Sequence, residues 1–584
     1  MAVAKRGSFC DFLMKKRTWL FLGAVASLAA ALRYRHHLVA RRYGLPLAQT
    51  NVRVERNLRV PLRDGLTLAA DHYYPTRLGD YPTVLMRTPY ARGRTAHFFG
   101  LRSERVGWLL AGQGYHVVIQ DVRGRFGSQG HFLPLIHERE DGQDTLVWLR
   151  AQSWFNGQLG TWGQSYVGYV QWALAVDNPP ELKAIVPGVT SSNLTLLDDE
   201  RVLRLDAALR WLIIMDAMHS HHPLWRQVLR LLPPTQSRLI AQSAHHLPLQ
   251  SLDGHILNRP HPLYEQWLAD VDADHPQWER GMLNGHLAQV TAPAHLVGGW
   301  YDLFLREQLA DYATLRSAGQ RPYLTIGPWA HADEAGQSMT MQAGLAWLDA
   351  HLKGKKGGLR PRPVRLFLIG ANRWLDLDDW PPPHQATPFY LHPGGKLEAV
   401  AAATNALPST YTYDPSDPTP NLGGPMLTGP SGMVDQRPLE QRPDVLTFTT
   451  APLHTPLTLI GPVHLSLYAR SDCPYTDFVG RLCVVKPDNR SLNLCDGLYR
   501  LRPGRVVGDE EGVVRLEISL NASAYKFQAG EAIRLQVCSG GHPRWVRNLG
   551  MGEPIATGVN WHAAAQTIYH DTTHPSVLLL PLVS

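Results

Sequence analysis

Gly160-Thr161-Trp162-Gly163-Gln164-Ser165-Tyr166-Val167-Gly168 decides how this chain is read. An extended segment leads into it, and a helical one, Tyr166 to Val176, leads out. A serine at such a strand-to-helix turn, with glycines on either side, sits on a sharp bend. Its hydroxyl then projects clear of the backbone, as a nucleophile requires. The stretch departs from a strict Gly-x-Ser-x-Gly, because Val167 stands two after the serine and the glycine follows at Gly168. Gly-x-Ser-x-x-Gly alone is common in a chain with 50 glycines, so the partners elsewhere decide its meaning.

Around this turn, strands and helices alternate. Thr83 to Arg87 predicts a buried strand, Ser103 to Ala111 a helix, Tyr115 to Gln120 a strand and Glu138 to Arg150 a helix. Lys183 to Val186 is a further short strand. This spacing implies a mostly parallel sheet. From about Thr190 to Leu287 the chain is helical, rich in His, Leu, Trp and Arg, and reads as a cap inserted over the sheet. Strands resume at Ala294 to Trp300 and Tyr323 to Gly327, and a helix over Met339 to Lys353 closes this part. Beyond residue 360, short strands between prolines and glycines, Val364 to Ile369 first, predict a β-sandwich or jelly roll. The expected fold class is α/β: an α/β-hydrolase domain with an inserted helical cap, then a C-terminal β jelly-roll domain. The expected boundaries are a leader over 1–44, a core in two parts over 45–189 and 288–360, the cap over 190–287 and the jelly roll over 361–584.

The chain has 584 residues and a net charge of +7, and that charge is unevenly spread. Residues 1–44 carry nine Lys and Arg against one Asp, which leaves the rest at about −1. A near-neutral body without aromatic-interleaved basic stripes excludes nucleic acid as a partner. Within the leader, Thr18 to Leu32 is apolar and preceded by Lys15-Lys16-Arg17. Its fifteen residues reach roughly 22 Å as a helix, short of the ~30 Å hydrocarbon core. A secretory signal with Ala29-Ala30-Ala31 near a cleavage site, an uncleaved membrane tether through residues 18–32, and a basic leader on a cytoplasmic protein all remain open. Of the five cysteines none forms C-x-x-C, so zinc is not expected. Buried thiols are expected at Cys473, Cys483, Cys495 and Cys538, with one or two disulfides among them as the alternative. His219-Ser220-His221-His222 lacks the helix-face spacing of a metal site.

A seryl nucleophile needs an imidazole base and a carboxylate to orient it, in the chain order serine, acid, histidine for this fold. Asp302 follows the strand ending Gly298-Gly299-Trp300-Tyr301, and His331 follows the one ending Gly327-Pro328-Trp329-Ala330. Both therefore fall at the ligand-binding edge of the predicted sheet, as Ser165 does. An oxyanion needs two donors. The backbone N–H of Tyr166 is one candidate and the Tyr90 hydroxyl, in Arg87-Thr88-Pro89-Tyr90, the other.

These stretches resemble the cocaine-esterase-like and X-Pro dipeptidyl-peptidase family of serine hydrolases. The likeness extends to Gln120-Asp121-Val122-Arg123-Gly124-Arg125-Phe126-Gly127, Gly299-Trp300-Tyr301-Asp302, Gly327-Pro328-Trp329-Ala330-His331 and the late Pro543-Arg544-Trp545-Val546-Arg547-Asn548. It runs from about residue 50 to the C-terminus. The family motif is Gly-x-Ser-Tyr-x-Gly, which accounts for Val167. The resemblance implies a Ser165–Asp302–His331 triad, Tyr90 in the oxyanion hole, no cofactor, and a small ester, amide or short-peptide substrate. In the amino-ester branch, carboxylates follow the triad aspartate to hold a substrate ammonium. Here Leu303-Phe304-Leu305 follow instead. Asp198-Asp199-Glu200 reads as a solvated acidic helix end, with an ammonium site as its alternative. Trp211 to Met215 reads as helix packing, with an acyl- or aryl-binding wall as its alternative. The rival function is a non-catalytic binding protein on a hydrolase scaffold.

Overall fold

The computed structural model describes residues 39–94, 100–198, 200–219, 224–271 and 277–583. The apolar leader segment, Cys10, Asp199 and Ser220-His221-His222 lie outside the described residues. Among the described residues no helix is long and apolar enough to cross a membrane.

Ten strands form the first sheet. They are β1 (Val52–Pro61), β2 (Thr67–Pro75), β3 (Thr83–Thr88), β4 (His116–Asp121), β5 (Leu159–Gln164), β6 (Leu182–Gly188), β7 (His295–Tyr301), β8 (Tyr323–Ala330), β9 (Val364–Leu368) and β10 (Arg373–Leu377), in the order β1-β2-β4-β3-β5-β6-β7-β8-β9-β10. β3 to β9 run parallel, and β1, β2 and β10 close the edges antiparallel. The chain leaves β3 for β4 on one side and returns to β5 on the other. The switch point therefore lies between β3 and β5, where the ends of parallel strands open a crevice.

The central strands are buried on both faces, as the apolar runs require. Side chains alternate between two cores. Val84, Met86, Val117 and Ile119 face α1 (Leu101–Gly112) and a long crossover helix, Glu334–Leu352. Leu85 and Val118 face α2 (Glu138–Arg150) and α3 (Tyr166–Ala175).

The cap separates β6 from β7. Its main helices are α4 (Leu205–His219), α5 (Leu224–Leu231), α6 (Pro233–Ser243), α7 (Leu252–Leu257) and α8 (Pro262–Val271). Two helices then return to the sheet, α9 (Leu305–Ser317) and α10 (Glu334–Leu352).

The β-rich region expected from residue 361 starts later. β9 and β10 pair onto the hydrolase sheet, with Val364, Leu366 and Leu368 buried in its core. Helix α10 is the parallel crossover into β9, so it does not close the sheet as expected. The strands of the second sheet begin at Gln385–His392. That eleven-stranded, almost wholly antiparallel assembly encloses its own core, including Leu465, Leu516 and Leu535. It also packs onto the cap: Val479, Leu498, Trp545 and Val546 share a cluster with Leu209, Leu212 and Leu268. The four described cysteines are free and buried.

Candidate active site

Ser165 is placed by two close approaches. A Cβ on Gly163 would lie 2.2 Å from Val167 Cγ1, and one on Gly168 would lie 2.3 Å from Thr190 Cγ2. Only glycine lets α3 start this near the ends of β5 and β6. Val167 faces the other way, into the core around Met86, Trp162 and Met341. That is why the second glycine of the turn stands one position later than the strict motif. Ser165 takes up the bend with φ 56° and ψ −128°, a conformation unfavourable for any L-residue. Its N–H remains tied to Gly188 O at 2.8 Å.

His331 Nε2 lies 3.0 Å from Ser165 Oγ, and its Nδ1 lies 2.7 Å from Asp302 Oδ2. Asp302 is buried, and its other oxygen accepts the Phe304 N–H at 2.8 Å. The three residues expected from sequence thus form one hydrogen-bonded chain across the ends of β5, β7 and β8. Phe304 meets the His331 ring edge-on at 5.6 Å. The His331 turn is set by Trp329. Added Cβ atoms on Gly299, Gly327 and Gly336 would meet the Trp329 indole at 2.4, 2.0 and 2.7 Å. The indole fills a slot that these three glycines leave open.

Tyr90 follows β3, next to Ser165 across the switch point. Its hydroxyl accepts from Trp211 Nε1 at 3.2 Å. Burial pushes the phenol above its ordinary value, against the Trp211 hydrogen bond and the Ser165 hydroxyl, which pull it back. It therefore stays protonated and able to donate through neutral pH. Tyr166 opens α3, where the first N–H groups have no intrahelical acceptor. Both candidate donors thus border Ser165.

Sequence reading missed what holds Tyr166. Its hydroxyl donates to Glu138 Oε1 at 2.7 Å and accepts the Leu135 N–H at 2.9 Å. Glu138 in turn is paired with Arg87 at 2.9 Å, and all three side chains are buried. Burial raises the Glu138 carboxyl above the usual range, while the Arg87 charge and the Tyr166 hydrogen bond oppose that.

Two cavities meet at Ser165. The first is lined by Tyr166, Trp211, Trp267, Leu303, Phe304 and Leu427, among others, and among the described residues by no charged side chain. The second includes His331, Gln164, Ile214, Arg102 and Arg105 in its wall. Trp211 borders both, and Ile214 the second. Leu212, Ile213 and Met215 are core. The stretch read as packing is therefore divided between packing and cavity wall. Asp198 and Glu200 are not a solvated helix end. Asp198 accepts the N–H groups of Glu200 and Val202, and Glu200 pairs with Arg505 of the β domain.

Residues 64–333 match the family model described as X-Pro dipeptidyl-peptidase (S15 family). Residues 358–579 match that of the X-Pro dipeptidyl-peptidase C-terminal non-catalytic domain. The cocaine esterase of Rhodococcus sp. (strain MB1 Bresler) is 33% identical, over 91% of this chain and 99% of its own length. The chain belongs to the cocaine-esterase-like family of serine hydrolases. As a member of this family it hydrolyses an ester or peptide bond, and the non-catalytic alternative falls away. Two solved structures share the fold. An α-amino acid ester hydrolase superposes with a TM-score of 0.75 at 22% identity, covering 92% of this chain and 98% of its own. An aminopeptidase from a marine-sediment Thaumarchaeota archaeon gives 0.74 at 23% identity with the same coverage.

Proposed function

We propose that this protein is a carboxylesterase for substrates with an apolar, aryl-sized acyl group. Ser165 attacks the carbonyl while His331 takes its proton, and Asp302 holds the imidazole in the required tautomer. The Tyr90 hydroxyl and the Tyr166 N–H bind the developing oxyanion. His331 then gives its proton to the leaving oxygen, and the acyl-enzyme is cleared by water that the same imidazole activates.

The choice of ester over X-Pro peptide rests on the first cavity's lining, which among the described residues carries no charge. Its wall lacks His331, which must face the leaving group, so it is the acyl side. A dipeptidyl substrate or an amino ester would bring a free ammonium there, and burying one without a carboxylate is costly. Among the described residues the nearby acids are already engaged: Asp206 with Arg210, Glu200 with Arg505, Asp496 with Arg544, and Asp198 with the N–H groups of Glu200 and Val202.

The test compares the 4-nitrophenyl esters of 3-phenylpropanoate and phenylalanine, which differ only by the ammonium, with Gly-Pro-4-nitroanilide as a third substrate. The uncharged ester should lead the amino ester by about tenfold or more in kcat/KM, with negligible release of nitroaniline. A preference for either ammonium-bearing substrate overturns the reading. We further propose, from the leader's composition, that residues 18–32 export or tether the protein. Finding the full-length chain only in the soluble cytoplasmic fraction would refute that.

A further inference from the structure

The second cavity lies on the leaving-group side, because His331 must reach the departing oxygen to protonate it. It encloses about 400 Å³. Its walls are mostly apolar, with Met86, Val106, Leu109 and Met341 among them, yet Arg102 and Arg105 border it too. These arginines stand three apart on α1 and so share one face of that helix. Glu104, between them in sequence, turns away to Arg56 at 2.9 Å. Among the described residues neither Arg102 nor Arg105 has a carboxylate in ion-pair contact.

The other charged groups here leave a positive balance. Glu334 is held by Arg42 through two hydrogen bonds, at 2.6 and 2.7 Å. Among the described residues, three guanidiniums, Arg42, Arg102 and Arg105, therefore act on one carboxylate, Glu334. Arg102 is also near enough for its charge to act on the Tyr90 phenol. Helix stability does not explain the pair, since basic residues at the start of a helix oppose its dipole.

We propose that Arg102 and Arg105 select esters whose leaving alcohol carries a carboxylate on an apolar body. This rests on the esterase reading above and names the other half of its substrate. The apolar wall takes the body of the alcohol, and the two guanidiniums take its anionic end at the mouth.

The probes are the butanoate esters of 4-hydroxybenzoate and of 4-hydroxybenzamide, matched in shape and differing in charge. The readout is the ratio of their kcat/KM values within one enzyme sample, which cancels the amount of folded enzyme and divides out the acyl side. In Arg102→Gln/Arg105→Gln that ratio should fall roughly five- to tenfold. Arg102→Lys/Arg105→Lys should keep most of it, and added salt should lower it in the wild type. A ratio that stays constant across the three enzymes overturns the proposal while leaving the esterase reading intact. If the wild type cleaves neither ester and a fluorophosphonate does not label Ser165, the esterase reading falls and takes this one with it.

Discussion

Behind Ser165 the protein is polar and interlocked, and in front of it apolar and assembled from distant parts. The rear is the buried sequence of contacts from Arg87 through Glu138 to the Tyr166 hydroxyl, with Asp302 fixed by the Phe304 N–H. The front is Trp211 from the cap, Phe304 from the hydrolase core and Leu427 from the β domain. The difference separates two tasks. Reaction geometry is fixed by hydrogen bonds within the hydrolase core, between one sheet and the helix starts and loop beside it, where small displacements are expensive. Substrate choice is left to surfaces that can change without moving Ser165. Changes at the rear should therefore damage kcat or stability, and changes at the front should alter preference.

The largest effect should come from the hydrogen-bonded chain itself. Ser165→Ala should lower kcat on 4-nitrophenyl butanoate by about 10³- to 10⁶-fold and abolish fluorophosphonate labelling. Asp302→Asn should cost about 10⁴-fold by favouring the wrong imidazole tautomer. Retention of most activity in either would remove the proposed chemistry. Tyr90→Phe comes next, with about 10²- to 10³-fold lost in kcat and little change in KM, because the oxyanion appears only after attack. A loss confined to KM would make Tyr90 a substrate contact instead.

Arg87→Met tests the rear by stability. It strands Glu138 in a buried site and should cost about 3–5 kcal/mol in denaturant unfolding. Adding Glu138→Gln should return part of that loss, since the uncompensated charge is then gone. A single variant as stable as the wild type would show that the pair is not what holds Tyr166. At the front, Trp211→Ala should lower kcat/KM for a benzoate ester by roughly tenfold and for an acetate ester by less, since the smaller acyl group touches less of the wall. Equal losses for the two would mean that Trp211 acts only through its hydrogen bond to Tyr90.

What the sequence revealed follows the same division. Ser165, Asp302 and His331 were legible because each ends a strand of a strongly periodic α/β pattern, and strand ends locate function in such sheets. The missing glycine at 167 was readable only through family likeness, and its cause, Val167 facing one core while Gly168 faces Thr190, needed coordinates. Gly299, Gly327 and Gly336 stand in the sequence without any sign that one indole fills the space above all three. Glu138 looked like the start of an ordinary helix. β9 was assigned to the wrong sheet because a proline- and glycine-rich flank looks alike at a domain boundary and after a crossover. Contacts between residues far apart in the chain, such as Leu427 with the hydrolase site, leave no local pattern to read.

The smallest expected effect distinguishes a donor held in a dense, dry site from one open to solvent. A phenol in water loses its proton near pH 10, and with it the ability to donate. For Tyr90 the folded environment raises that point, burial being the largest cause. The neutral form should therefore persist above the ordinary value as pH rises, and kcat should change by less than about twofold between pH 8.5 and pH 10. Tryptophan fluorescence recorded over the same range shows whether the protein remains folded. A fall centred near pH 10 in folded enzyme, and absent from Tyr90→Phe, would mean that water reaches this hydroxyl. Tyr90 would then belong to the adjustable front of the site, and the division drawn at Ser165 would have to move one residue back.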